Sequence, residues 1–247
     1  QTVRTIIAVN QNTGTFTLSQ AIDDPLVTTE TEPDMASEVA SLSRKIIFEA
    51  EEDGPSALHG GHLMIFHTPN VTQHLEGVLI RNFGQQGNLG RYPIHFHMSN
   101  RVTGSIVRKN VIRASNQRCV VIHGTHDVRI EDNVAYDTHG HCYILEDGAE
   151  IDNHFIGNLG ARTRGIENAA TTLGTSDKHP SIFWITNPMN HFIGNVATGS
   201  IHAGFWFELR EVRGLSKPLY SGPNPRYLPL YTFRDNTSHS NADMGTY

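Results

Sequence analysis

No apolar run in this chain of 247 residues approaches the length of about 18 that a membrane-spanning helix requires. The first residues also show no signal-peptide pattern of basic, apolar and small-residue regions. Cysteine is scarce: Cys119 and Cys142 are the only two, too few for a redox compartment to be read from usage alone. Acid is missing from one long stretch. Residues 77–126 hold no Asp or Glu but seven bases (Arg81, Arg91, Arg101, Arg108, Lys109, Arg113 and Arg118), whereas residues 23–52 hold nine acids, an asymmetry that the net charge of −6 conceals. A basic middle would attract an anionic polymer, unless its arginines simply point outward independently of one another. The same stretch lacks interleaved exposed aromatics and a recognition motif, which argues against nucleic acid as the partner.

What the sequence does contain is a repeat. Asn110, Asn133 and Asn158 lie 23 and 25 residues apart, each three residues after an apolar position (Val107, Ile130, Phe155) and just before another (Val111, Val134, Leu159). The frame extends back to Leu79, Asn82 and Phe83, and forward to Phe192, Asn195 and Val196, then to Phe233 and Asn236. A fixed period of this size marks a repeat architecture. Runs of Val, Ile and Phe punctuated by Gly and Asn make the unit strands and turns. The expected fold is all-β, a right-handed parallel β-helix whose rungs are 23–25 residues long. Asparagines stacked at one turn would hydrogen-bond their own backbone and each other.

A second ladder lies nine residues after each asparagine. Aligning LMIFHT, PIHFHM, CVVIHG, CYILED and GFWFEL puts Met64/Phe66, Ile94/Phe96, Val120/Ile122, Tyr143/Leu145 and Phe205/Phe207 on one apolar face, the one to be buried. The opposite face then carries His67, His97, His123, Glu146, Thr186 and Glu208 in one column, with His95 beside it. Ser, Thr, Lys or Asn would be usual on an outer face.

Residues 1–50 differ from the rest. VRTIIAVN, TGTFTLSQ and SRKIIFEAEE read as strands separated by turns and by the acidic stretch 23–34, and are expected to cap the solenoid or to end a preceding β domain. Residues 51–247 form the β-helix, interrupted near 160–181 and 210–230 by two insertions that stretch the asparagine spacing to 37 and 41. Such loops leave a solenoid from one face, often the binding face, and Arg162, Arg164, Lys178, Arg210 and Arg213 could line the cleft between them. The chain starts inside a strand-like run and stops where another rung would begin, as a piece of a longer polypeptide would. Cys119 and Cys142 occupy equivalent rung positions, about 4.8 Å apart by strand stacking. A disulfide, two stacked thiols and a share in a metal site all remain open. Of the glycosylation sequons at Asn70 and Asn236, the second belongs to the inward ladder, which leaves Asn70 as the acceptor.

GGHLMIFH, GQQGNLGRYPIHFHMSN, NQRCVVIHGTHDVRIEDNVAYDTHGHCYILEDGAEIDN and FWITNPMNHFIGNVATGS with GFWFELR closely resemble the β-helix region shared by the cell-migration-inducing hyaluronan-binding protein, its transmembrane hyaluronidase relative and the fibrocystins. SEVASLSRKIIFEAEEDG resembles the segment that enters that β-helix, and the 210–230 loop matches least. The resemblance implies an extracellular or cell-surface protein of the secretory pathway with this fold, a polysaccharide partner such as hyaluronan and, in some members, its depolymerisation, and the Asn70 sequon makes it a glycoprotein. Fibrocystins share the fold without an established enzymatic role, so fold transfers further than activity.

Three chemistries fit the polar column. A divalent ion, zinc or another, could be held by His67, His97 and His123, with His95 or Glu146 completing the set. Acid–base cleavage of a glycan could instead use His97, His123, Glu146, Asp147 and Glu208. Glu146 and Glu208 would stand about 9.6 Å apart across two strand spacings, at the upper edge for inversion. Arg91, Arg118, His141 and Trp206 are the candidate substrate contacts. The third reading is a noncatalytic adhesion or assembly module, in which the histidines form a structural ladder or a metal clip.

Overall fold

The computed structural model describes residues 2–23, 26, 36–51 and 58–247. Its contacts divide the chain into Gln1–Ser41 and Leu42–Tyr247. In the first unit Ile6–Asn10 pairs antiparallel with Thr15–Leu18 across a turn closed by Gly14, whose φ of 67° suits glycine. Of the acidic stretch 23–34, all but Asp23 and Leu26 lies outside the described residues.

The second unit is the expected parallel β-helix, three stacked parallel sheets of seven, six and seven strands. One rung shows the path. Val111–Arg113 lies in one sheet, Val120–His126 in the next, Arg129–Glu131 in the third, and Val134–His139 returns to the first, one level further on. The sheet containing Val120–His126 also holds Leu63–Ile65, Ile94–Arg101, Tyr143–Leu145, Phe183–Ile185, Ala203–Phe207 and Met244–Thr246. It carries the polar column on its outer face and is called the site sheet below. Ile46–Glu49 pairs in parallel with Val78–Arg81 and so belongs to the solenoid.

Inward side chains stack in register because their strands do. Tyr143, Phe183 and Phe205 form one pile with ring centroids 4.9 and 4.7 Å apart, and Phe155 and Phe192 another at 4.8 Å, the spacing of hydrogen-bonded strands. Each buried aromatic contributes about 1.5–3 kcal/mol by leaving water, and a pile commits every rung to the same register.

The asparagine ladder runs as expected through Asn110, Asn133, Asn158, Asn195 and Asn236. Each Nδ2 except that of Asn236 donates to the next asparagine's Oδ1 at 2.9–3.0 Å, and all five donate to a carbonyl of the preceding rung at 2.8–2.9 Å. Asn82 is not a member. The place of Leu79 in the frame is corrected likewise: it pairs with Val111, so Val78 occupies the ladder position, and the Val78 backbone N–H donates to Asn110 Oδ1 at 3.1 Å. Asn82 instead ends a strand with φ 57°. Asn236 is engaged in the ladder, and Asn70 sits in an exposed turn.

One strand departs from the expected register. Leu63 pairs with Ile94, Met64 with His95 and Ile65 with Phe96, so Leu63 and Ile65 face inward rather than Met64 and Phe66. LMIF is apolar at all four positions and carries no alternation, and a slip of one residue exchanges the two faces. The basic stretch is corrected too. Arg81 pairs with Glu49, Arg101 with Asp127 and Asp152, Arg108 with Glu76, and Arg118 with Glu146, each acid coming from another rung or strand. Cys119 and Cys142 are joined in a disulfide, their Cα atoms 4.6 Å apart. The insertions enter and leave the site sheet: residues 165–182 precede the strand Phe183–Ile185, and residues 208–231 follow Ala203–Phe207.

Candidate functional site

Strand pairing carries two columns along the outer face of the site sheet. His97 lies opposite His123, and the same register, continued one residue past Leu145, Ile185 and Phe207, adds Glu146, Thr186 and Glu208. Beside it run Met64, His95, Val121, Ile144, Trp184 and Trp206. The histidines thus cluster at one end and the tryptophans at the other.

His95, His97 and His123 each offer a ring nitrogen, all three within 4.8 Å of one another. Two of the rings are held from behind. His95 Nδ1 lies 2.9 Å from the Gly90 carbonyl, which can only accept, so the proton is on Nδ1 and the Nε2 lone pair faces the cluster. That Nε2 is buried without a hydrogen-bond partner and stands 3.7 Å from Glu146 Oε2. His123 Nε2 lies 2.7 Å from Asp147 Oδ2, which turns its Nδ1 toward His97 Nδ1 at 3.2 Å and Glu146 Oε2 at 3.4 Å. Imidazoles fixed from behind by a carbonyl and a carboxylate, with their inner ring nitrogens converging, are arranged as metal ligands usually are. Three nitrogens with a carboxylate alongside suit zinc or a similar divalent ion. The residues present fit the group.

The electrostatics follow from burial. Desolvation pushes the His95 ring down to about 4, and it also lowers His97, assisted by the His123 charge. Both are therefore neutral, the form that ligates. Burial opposes charge on His123 as well, but the Asp147 hydrogen bond and the Glu146 carboxylate outweigh it and raise its pKa. Desolvation likewise opposes charge on Glu146, yet Arg118, His123, His95 and Tyr92 together hold its pKa below the usual value. Arg118 donates to Glu146 Oε1 at 2.8 Å and Tyr92 at 3.1 Å, with the guanidinium 4.8 Å above the Tyr92 ring.

Asp147 is no solvent-facing turn residue. It is 7% exposed, and its Oδ2 accepts the Ser216 backbone N–H at 3.0 Å from the second insertion. Gly214 passes so close that a Cβ there would stand 2.2 Å from Asp147 Oδ1. Glu150, fully buried, accepts the N–H groups of Gly124 (2.8 Å), Asp147 (3.2 Å) and Gly148 (2.8 Å). It thereby ties the turn carrying Asp147 to the strand carrying His123.

Of the expected site residues, the structure gathers His95, His97, His123, Glu146 and Asp147, with Arg118 behind them. His67 is corrected: the one-residue shift brings Phe66 against His97, ring centroids 5.5 Å apart, and His67 Nδ1 faces the Ser99 carbonyl at 2.7 Å. Arg118 and His141 are too enclosed to reach a polymer. The Arg118 side chain is 12% exposed and spent on Glu146. His141 is 2% exposed, bonded to Ser181 and packed 4.1 Å from Trp184. Arg91 is exposed beside His62. Glu208 pairs with Arg210 and accepts from Trp206 Nε1 at 3.0 Å, beyond Thr186 and out of contact with the histidines. Arg162 and Arg164 are paired with Asp137. Tyr92, Glu150 and Ser216 were missed. Nothing in the sequence sets Glu150 apart from Glu146 and Asp147 in the same short acidic stretch.

The chain matches the CEMIP beta-helix family over residues 58–246. It is 36% identical over 225 residues to communication mutant protein F of Dictyostelium discoideum, covering 83% of this chain and 19% of that protein. To the human cell surface hyaluronidase CEMIP2 it is 34% identical over 254 residues, 87% of this chain and 18% of that protein, and the figures for the cell surface hyaluronidase of Danio rerio are the same. The chain thus spans about a fifth of the length of the curated relatives it matches.

Proposed function

This chain belongs to the CEMIP β-helix family, and from that premise we propose that its outer histidine face binds an extracellular anionic polysaccharide of the hyaluronan kind and takes part in its depolymerisation, with a divalent ion held by His95, His97 and His123. The observation that carries the reading is the convergence of three imidazoles, two of them oriented from behind. Relatives named cell surface hyaluronidase support the polymer. The Cys119–Cys142 disulfide supports an oxidising, extracellular setting.

An ion in this place would polarise a bond or lower the pKa of a water. The chain's own residues do the rest. Asp147 keeps the proton on His123 Nε2, and Gly90 keeps it on His95 Nδ1. Arg118 and Tyr92 occupy Glu146 Oε1 and hold the group ionised, so its free Oε2 accepts a proton or a hydroxyl hydrogen bond beside the histidines. Glu146 is a base here rather than an acid.

Elemental analysis of the dialysed chain, repeated on His97→Ala and His123→Ala, tests the proposal beside a hyaluronan size assay. Near-stoichiometric metal that both folded variants lose, together with polymer shortening, is the expected result. A metal-free wild type that leaves the polymer intact would make the β-helix a noncatalytic spacer and its histidines a structural ladder.

A further inference from the structure

Immediately past the two central histidines the site sheet is irregular. His97 pairs with His123, but the next pair is Asn100 with Thr125, so Met98 and Ser99 oppose Gly124 alone. This is a β-bulge, the device that re-aims side chains beside functional sites. Met98 takes φ 49° and Asn100 φ 57°, and a long side chain in the left-handed region is uncommon and costs free energy that the surroundings must supply. Gly124 meets the bulge at φ 52°, where a Cβ would lie 2.5 Å from the Met98 sulfur.

The bulge opens a pocket of about 310 Å³. Met98, Gly124, Ala149 and Ile151 line it from the solenoid, and Ser216 and Leu219 to Gly222 cover it from the second insertion. It is joined to the histidine cluster through bonded residues: Ser216 donates its N–H to Asp147, and Asp147 holds His123. Its volume is near the lower end for ligand pockets, about 300 Å³, room for one sugar ring rather than several.

Its chemistry is neutral. Among the described residues that line it there is no carboxylate, lysine or arginine. Arg101, the nearby cation, is engaged by Asp152 at 2.6 Å and by Asp127 at 3.4 Å. Burial, with the Arg101 charge, lowers the His126 pKa. His126 Nδ1 accepts the Ile151 N–H at 3.2 Å, which leaves an N–H donor at Nε2. Met98, Ala149, Ile151 and Leu219 present methyl and thioether surface, and Asn100, His126, Ser216 and Ser221 present hydrogen-bonding groups. A uronate would find no cation among those lining side chains. An N-acylated amino sugar matches both halves, its methyl against the apolar wall and its amide and hydroxyls against the polar one.

We infer that this pocket is the subsite for one N-acetylhexosamine unit of the polymer, placing the next unit of the strand across His97 and His123. The inference rests on the polysaccharide reading above, and the test separates the two.

Saturation-transfer NMR on the 247-residue chain, treated with chelator so that nothing is cleaved, would use the tetrasaccharide of alternating glucuronate and N-acetylglucosamine, and the same tetrasaccharide N-deacetylated. The acetyl methyl of one unit should receive the strongest transfer, and the deacetylated probe should bind at least tenfold more weakly. Ala149→Leu, which fills the floor, and Ser221→Trp, which fills from the exposed loop, should abolish the methyl signal while leaving the metal content of untreated protein unchanged. Equal binding of both probes, or wild-type binding by the two filled variants, would overturn the subsite and leave the polysaccharide reading standing. No binding of either probe to wild type would overturn both.

Discussion

Asp147 Oδ2 lies 2.7 Å from His123 Nε2 and, through the same oxygen, 3.0 Å from the backbone nitrogen of Ser216. One carboxylate thus sets the tautomer of a ring on the solenoid and anchors the irregular loop beside it. Neither partner is near it in sequence.

Removing that carboxylate should weaken the proposed ion site without unfolding the chain. For Asp147→Ala, chelator competition should show a loss of roughly 10- to 100-fold in metal affinity. The thermal midpoint should move far less than it does when Arg118 is lost. An unchanged metal affinity would mean that His123 is not a ligand.

Arg118 and Glu146 form a largely enclosed pair, their side chains 12% and 14% exposed, and breaking one side leaves the other uncompensated. Arg118→Met should cost about 3–5 kcal/mol, a fall of roughly 6–20 °C in a domain of this size. Arg118→Met with Glu146→Leu should recover much of it, because the stranded charge is gone. Scanning calorimetry decides, and a single variant that melts with wild type would sink the argument.

His141 is buried with its pKa well below the ordinary value, desolvation first and then the Arg118 and His202 charges disfavouring the protonated ring. The folded state therefore binds this proton less readily than the unfolded state. Its contribution to stability is complete above the unfolded value near 6.5 and is lost as pH falls below it, by up to about 1.4 kcal/mol per pH unit. Melts between pH 7.5 and 5 should show His141→Gln losing less stability on acidification than wild type. Equal slopes would place the titration elsewhere.

The solenoid was legible because its physics is local and repeated. The spacing of Asn110, Asn133 and Asn158, and the alternation in PIHFHM and CVVIHG, each report one rung, and stacking multiplies the report. Reading failed where a rung carries no alternation. LMIF is apolar throughout, so His67 was expected one position from its place, and Asn82 shared the spacing of the ladder but not its register.

Repetition along the chain is enough to set the β-helix, the inward aromatic piles and the alignment of His97, His123 and Glu146, since a parallel strand repeat leaves each column only one partner above and below. Tertiary structure alone decided what that column can do. Seating Arg118 and Tyr92 against Glu146, bringing Ser216 onto Asp147 and holding three backbone N–H groups on Glu150 all depend on turns and insertions that do not repeat. Periodicity is silent there, and only packing in three dimensions sets which groups meet.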